Sequence, residues 1–171
     1  MSAVEGTCAA GTAGKDTSDG IQLSGATSTH TVVAAFMPHL PYGDAVHAEL
    51  AEWELHPEVL EAGVRAGRGP GGRELFLRLV WPAGHVDLAE SVRPDGLTLA
   101  WSHITGWSVH TLDVGLPLDV DEFVAPAVLA EYALHLAEHG LDRAWVPEAP
   151  ARWEHALVVE IACVLFDEGG R

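Results

Sequence analysis

The chain has 171 residues, of which 48% are hydrophobic and six are tryptophan, enough for one well-buried core and too few for two full domains. Its 25 acidic residues outnumber 9 basic ones, which gives a formal net charge of −16. That charge repels phosphate backbones and anionic lipid headgroups, so we expect neither nucleic acid nor a membrane surface as a partner.

The N-terminal part of the sequence predicts a polar segment and then a helix. Residues 1–31 are dominated by Gly, Ala, Ser and Thr and are predicted to be a disordered leader, so the single domain spans residues 32–171. A helical pattern begins at Pro41 and ends at Pro57. Its apolar stripe consists of Tyr42, Val46, Leu50 and Trp53.

Alternating apolar residues then predict the strands of a sheet. Residues 59–66 form a first strand, a glycine-rich turn follows, and residues 73–81 (RELFLRLVW) form a second strand. Residues 85–92 are a candidate for a further short strand. Residues 97–113 (LTLAWSHITGWSVHTLD) predict a hairpin, because apolar residues that share one face lie on both sides of a short turn.

Two helices are predicted to complete the domain. They follow an acidic loop that carries Asp113, Asp119, Asp121 and Glu122. Pro126 suits the first turn of a helix that ends at Gly140. The last helix is predicted over residues 151–167, and its main apolar arc consists of Trp153, Leu157, Ile161, Val164 and Leu165. Val158, Val159 and Phe166 widen this arc, so the helix needs cover on more than one side.

The order of these elements predicts an α+β domain. An antiparallel sheet of four or five strands is expected to carry about three helices, mainly on one face. The predicted core residues of the sheet are Leu75, Leu77, Leu79, Leu97, Leu99, Trp101, Trp107 and Val109. The surplus apolar surface of the last helix predicts packing on another helix or on a second subunit, so a homodimer through this helix is one expected outcome.

The segment from Tyr42 to Gly140 resembles a family of small actinobacterial domains. The resemblance rests on the leading helix, the L-x-W strand within LTLAW, the turn before Gly106-Trp107 and the helix that opens at Pro126. It covers about 100 residues. The family brings no assigned activity, so the resemblance transfers no functional residue to this chain. The single lysine, Lys15, beside eight arginines also indicates a GC-rich bacterial genome.

The sharpest motif is His135, Glu138 and His139, which match the inverted zinc-protease pattern H-x-x-E-H. Helical i, i+4 spacing puts both imidazoles on one face, where a metal could bind. A third ligand would have to come from Glu154 or Glu160. The helix ends directly after His139, and the two histidines border its apolar stripe. A helix face at the boundary between the core and solvent is therefore favoured, and no metal site is expected.

Three further features favour structural roles. Residues 67–72 match G-x-G-x-x-G, but a strand follows them and no lysine lies downstream, which favours a hairpin connection over a phosphate site. His85 and Asp87 could share a strand edge and hold a metal or a water, although a solvated edge is the simpler interpretation. Cys163 lies in the most apolar helix, where burial makes a thiol inert, and neither it nor Cys8 has disulfide or zinc spacing.

Arg65, Arg68, Arg73 and Arg78 place four of the nine basic residues within fourteen positions. In a chain this acidic, they form the candidate patch for an anionic ligand or partner, since arginine binds carboxylate and phosphate in a bidentate way. The alternative is that they pair with nearby acidic residues and keep the ends of the sheet soluble.

No complete catalytic constellation is present, so no catalytic residue and no cofactor are assigned. The absence of a signal-peptide pattern and of a long apolar run predicts a cytoplasmic protein. We expect a non-enzymatic interaction module, such as an accessory or immunity-like protein, whose acidic surface binds a basic protein partner. The alternative function is a small metal-dependent hydrolase that uses His135, Glu138 and His139.

Overall fold

The computed structural model describes residues 37–67, 72–112, 114–147 and 151–169. The elements in chain order are α1 (Leu40–Glu52), β1 (Val59–Ala66), β2 (Arg73–Trp81), β3 (Leu97–Ser102), β4 (Gly106–His110), β5 (Gly115–Pro117), α2 (Pro126–His139) and α3 (Ala156–Glu168). The predicted α+β fold is confirmed. The predicted leader over residues 1–31 lies outside the described residues.

The five strands form one antiparallel sheet in the order β1-β2-β3-β4-β5, so each strand pairs with the next one along the chain. The pairing places Leu77 opposite Trp101 and Trp101 opposite Trp107. All eight predicted core residues of the sheet are buried, because the alternation of strand side chains places them on the same face.

The helices α1 and α2 cover this face of the sheet. Tyr42, Val46 and Leu50 of α1 are fully buried, as predicted. Gly43 is the point of closest approach, since a Cβ atom there would lie 2.9 Å from Leu77 Cδ2 of β2. The predicted stripe is wrong at Trp53, which is 45% exposed because α1 ends one residue earlier. Among the described helices, none is long and apolar enough to cross a membrane.

The candidate strand over residues 85–92 is wrong, because this segment is a series of turns. The side chain of Arg93 holds the turns together. Its Nη2 donates to the carbonyl of Leu88 at 2.8 Å, and its Nε donates to the carbonyl of His85 at 3.2 Å. The fifth strand is β5, which lies in the region predicted as an acidic loop.

The last helix begins at Ala156 rather than at Ala151. The segment before it is extended, because the backbone N–H of Trp153 donates to the carbonyl of Phe123 at 2.8 Å and Arg152 forms a bridge with Val124. Trp153 is therefore not part of the helical arc predicted from the sequence.

The core is centred on the hydroxyl of Tyr42. This hydroxyl donates to the carbonyl of Val124 at 2.9 Å and accepts a hydrogen bond from Trp107 Nε1 at 3.0 Å. The rings of Trp107, Phe123 and Trp153 lie 5.1 to 6.1 Å from the Tyr42 ring, mostly in edge or tilted contacts that aromatic pairs prefer. One side chain thus joins α1 to β4 and to the segment before α2.

His39 is a buried polar group beside this aromatic cluster. Its ring stacks on Trp101 at 5.7 Å, and its Nε2 donates to the carbonyl of Phe76 at 3.0 Å. Its Nδ1 has no hydrogen-bond partner among the described residues. Burial lowers the pKa of His39 to about 4, because the charged imidazolium is poorly solvated there.

Replacing Tyr42 with phenylalanine should lower the free energy of unfolding by about 1–3 kcal/mol, because two buried polar groups lose their partner. Urea unfolding measures this loss. Tyr132→Phe is the matched control, since Tyr132 is only partly buried and stacks on Trp145. Equal destabilisation of the two variants would contradict a central role for the Tyr42 hydroxyl.

Acidification should destabilise the fold through His39. The unfolded chain takes up a proton at the ordinary histidine pKa of 6.5, whereas the folded chain does so only near about 4. The contribution of neutral His39 to the free energy of unfolding is therefore fully present above the unfolded pKa. It falls as the pH decreases, by about 2 kcal/mol between pH 7 and pH 5. Urea unfolding at both pH values should show this loss reduced in His39→Phe. An unchanged loss in the variant would show that His39 is not its source.

Candidate functional site

The predicted metal motif lies at the C-terminal end of α2. The rings of His135 and His139 meet edge to face at 4.8 Å, but His135 Nε2 donates to the carbonyl of Arg143 at 3.1 Å. Neither proposed third ligand is in a metal cluster with them: Glu160 pairs with Arg152 at 2.6 Å, and Glu154 lies beside His155. Within the described parts of the chain, no group of three His, Cys, Asp or Glu side chains is placed to hold a metal.

The arginines around the glycine loop are engaged in contacts within the chain. Arg65 pairs with Glu74 at 2.6 Å, and this hydrogen bond lowers the pKa of the Glu74 carboxyl. Arg78 pairs with Glu61 at 3.1 Å. Arg73 lies over the ring of Phe166 at 4.3 Å. Arg68 lies outside the described residues. These contacts match the alternative of pairing within the chain, and the patch for an anionic ligand or partner stays a prediction.

The glycine motif and the His85 pair both lie in connections between strands. Gly67 N donates to Gly72 O at 2.8 Å and closes the connection between β1 and β2. Asp87 accepts a hydrogen bond from the backbone of His56 at 3.0 Å, and its own N–H donates to His85 Nδ1 at 3.3 Å. Both residues thus stabilise turns rather than a strand edge.

The helix α3 has two apolar sides, of which only one is covered by the fold. Its buried side consists of Ala156, Val159, Cys163 and Phe166. Phe166, which the sequence placed in the widened arc, lies between Arg73 and the ring of His103. His103 in turn donates from Nε2 to Asp167 at 3.0 Å, which anchors the end of the helix to the turn between β3 and β4.

The opposite side of α3 is an exposed row of large aliphatic residues. We define the α3 apolar face as Leu157 (64% exposed), Val158 (69%), Ile161 (55%), Val164 (56%) and Leu165 (61%). All five residues belong to the apolar arc predicted from the sequence, four to its main part and Val158 to its extension. The sequence carried no signal for which side faces outward.

A groove of about 990 Å³ adjoins the α3 apolar face. It lies between α1, the start of α2 and α3, and its lining includes Pro41, Ala45, Ala48, Ala127, Val158 and Ala162. Val158 belongs to both surfaces, so they adjoin, and the groove also has the charged side chains of Glu49, Arg152 and Glu154 in its lining. This groove was not predicted from the sequence, although the residues at positions 41, 45 and 48, which share one side of α1, indicate it.

The surroundings of the α3 apolar face are acidic. From Trp153 to Glu168 the chain has four acidic residues, Glu154, Glu160, Asp167 and Glu168, and no lysine or arginine. Arg152, directly before this segment, pairs with one of them, Glu160, at 2.6 Å. Burial, and then the charge of Glu160, raise the pKa of the Glu122 carboxyl.

Comparisons of the chain with protein-family models, with curated proteins and with solved structures find no match. The resemblance to small actinobacterial domains therefore stays a prediction. The function has to be argued from the surfaces described above.

Cys163 should react slowly with alkylating reagents in the folded protein. Burial raises the pKa of its thiol to about 12, so the reactive thiolate is scarce at pH 8. In a Cys8→Ser variant, iodoacetamide labelling should be about a thousandfold slower in buffer than in urea, in proportion to the thiolate fraction. Mass spectrometry over time measures both rates, and comparable rates would show that Cys163 is an accessible, activated thiol.

Proposed function

We propose that this protein is a non-enzymatic interaction module that binds a protein partner through the α3 apolar face and the adjoining groove. The observation that carries this proposal is the row of five large aliphatic side chains exposed on one side of a single helix. Single exposed apolar residues are normal on a protein surface, whereas a contiguous apolar patch with a polar rim is typical of a binding site.

The partner that fits this surface is an amphipathic helix. Residues 157, 161 and 164 or 165 follow the i, i+4, i+7 or i+8 spacing of a helical ridge, which packs into the groove of another helix. The acidic rim favours a partner that carries Lys or Arg beside its apolar stripe. This refines the expected binding of a basic partner, because the apolar face supplies contact area and the acidic rim supplies specificity.

Pairing of two copies through the same face is a weaker fit. It would bring Glu154, Glu160, Asp167 and Glu168 of one copy near the same residues of the other, and like charges that face each other across an interface are unfavourable. The hydrolase alternative has less support, because His135 and His139 lack a third ligand among the described residues. The cytoplasmic setting remains part of this proposal and rests on the sequence pattern alone.

A synthetic helical peptide with a leucine stripe and lysine flanks should bind this protein, and the same stripe with glutamate flanks should bind more weakly. Fluorescence anisotropy measures both affinities at low and high salt, and the preference for lysine should shrink at high salt because surface charges are screened. The double variant Ile161→Asp/Leu165→Asp should weaken binding of the lysine peptide by about tenfold or more, since it charges the centre of the face.

Val86→Asp is the matched control. It places the same charge at an aliphatic residue that is 81% exposed and lies outside α3. The control should bind the lysine peptide like the original chain. Equal loss in both variants, or equal binding of the two peptides, would contradict the proposed surface.

A further inference from the structure

The strand β1 is a long edge strand of the sheet. Among the described residues its only strand partner is β2. Val59, Leu60 and Val64 are 38%, 42% and 39% exposed. The strand VLEAGVRA contains no proline and no lysine, the residues that commonly protect an exposed edge from pairing with another chain.

The direction of the backbone groups of β1 follows from its pairing with β2. The hydrogen bond from Gly67 N to Gly72 O extends the β1–β2 register, in which Arg65 faces Glu74 and Gly63 faces Phe76. The odd-numbered residues therefore direct their N–H and C=O groups toward β2. Because these groups alternate along a strand, the even-numbered residues Leu60, Ala62, Val64 and Ala66 direct theirs toward the outer edge.

We propose that a second copy of this chain pairs antiparallel with this edge, β1 to β1, about a twofold axis at Gly63. This interface lies on a different element from the α3 apolar face, so it goes beyond the proposed function. The pairing would join the two sheets into one of ten strands. Even-numbered residues would hydrogen-bond to even-numbered residues, with Ala62 of each copy opposite Val64 of the other.

Charge selects this register from the alternatives. With the axis at Gly63, Glu61 of each copy lies opposite Arg65 of the other. Moving the axis by one residue, to Ala62, places Glu61 opposite Gly63 and Arg65 opposite Val59, so both charge pairs are lost. Axes at Glu61 or Arg65 place like charges opposite each other, which is unfavourable for directly opposed residues.

The charges already present beside β1 continue this pattern. Within one chain, Glu61 pairs with Arg78 and Arg65 pairs with Glu74. Across the proposed interface, Arg78 and Glu61 of one copy would therefore be followed in a row by Arg65 and Glu74 of the second copy. The sign of the charge alternates from each side chain to the next. Networks of this kind contribute more than isolated surface pairs.

Gly63 suits the position on the axis. It has no side chain, and the ring of Phe76 covers it so closely that a Cβ atom would lie 3.1 Å from Phe76 Cε1. The two glycines would face each other without side-chain collision, and each would be covered by an aromatic ring from its own chain. Such aromatic cover is a known way to stabilise an edge glycine.

The test uses two charge-reversal variants of the full chain, Arg65→Glu and Glu61→Arg. Sedimentation equilibrium should show the original chain approaching twice its chain mass at high micromolar concentration. Each variant alone should raise the dimer dissociation constant by about tenfold or more, because both cross-edge pairs become like-charged. An equimolar mixture should recover the original affinity, since every Glu then faces an Arg.

Two controls separate the interface from effects inside the chain. Glu74→Arg creates the same kind of like-charge contact between β1 and β2 but leaves the cross-edge pairs intact, so it should weaken the dimer much less than Arg65→Glu does. Ala62→Pro removes an N–H that points to the outer edge and not to β2, so it should weaken the dimer while the fold is kept. Circular dichroism checks the fold of each variant.

Three results would overturn the proposal. One is a monomeric mass at every concentration. Another is a dimer that the mixture of variants fails to restore, which would show that Glu61 of one copy does not lie opposite Arg65 of the other. The third is a dimer that is insensitive to both reversals but lost in Ile161→Asp, which would place the second copy on α3. Peptide binding at α3 is measured separately, so the two proposals can fail independently.

Discussion

The position of α1 on the sheet depends on one buried hydroxyl. The Tyr42 hydroxyl donates a hydrogen bond to the carbonyl of Val124 and accepts one from the indole N–H of Trp107. Apolar contacts alone would allow the helix to slide on the sheet, since their energy depends mainly on the buried area. Two directed hydrogen bonds in a nonpolar environment define a single arrangement, and the close approach at Gly43 follows from it.

The cluster around Tyr42 also helps to determine which side of α3 is exposed. The segment after residue 150 is held against the chain near Phe123, where Trp153 adds its ring to the cluster around Tyr42. At the other end of α3, Phe166 and Asp167 are held by Arg73 and His103. With both ends anchored, the rotation of the helix about its axis is fixed, and the aliphatic row from Leu157 to Leu165 faces away from the fold.

The elements that could be predicted are those whose pattern is local. Alternating residues defined β2, β3 and β4, because one buried face forces a period of two. The side of α3 that faces outward could not be predicted, because α3 is apolar almost all round and its rotation depends on Arg73 and His103, far away in the chain. The segment at residues 85–92 was misassigned for a related reason, since the side chain of Arg93 replaces the ladder bonds of a strand. The groove was missed because it exists only where three helices meet.

The order of the strands has a consequence for how the chain acquires its structure. Each strand pairs with its immediate neighbour in sequence, so the sheet has short loops to close and can assemble locally and quickly. The hydroxyl of Tyr42, in contrast, must find partners 65 and 82 residues further along the chain. During synthesis, the sheet can therefore form before the Tyr42 hydroxyl has both of its partners. The arrangement of α1 on the sheet then stays incompletely fixed until residue 124 has left the ribosome, an interval in which a nascent chain is exposed to aggregation and to chaperones.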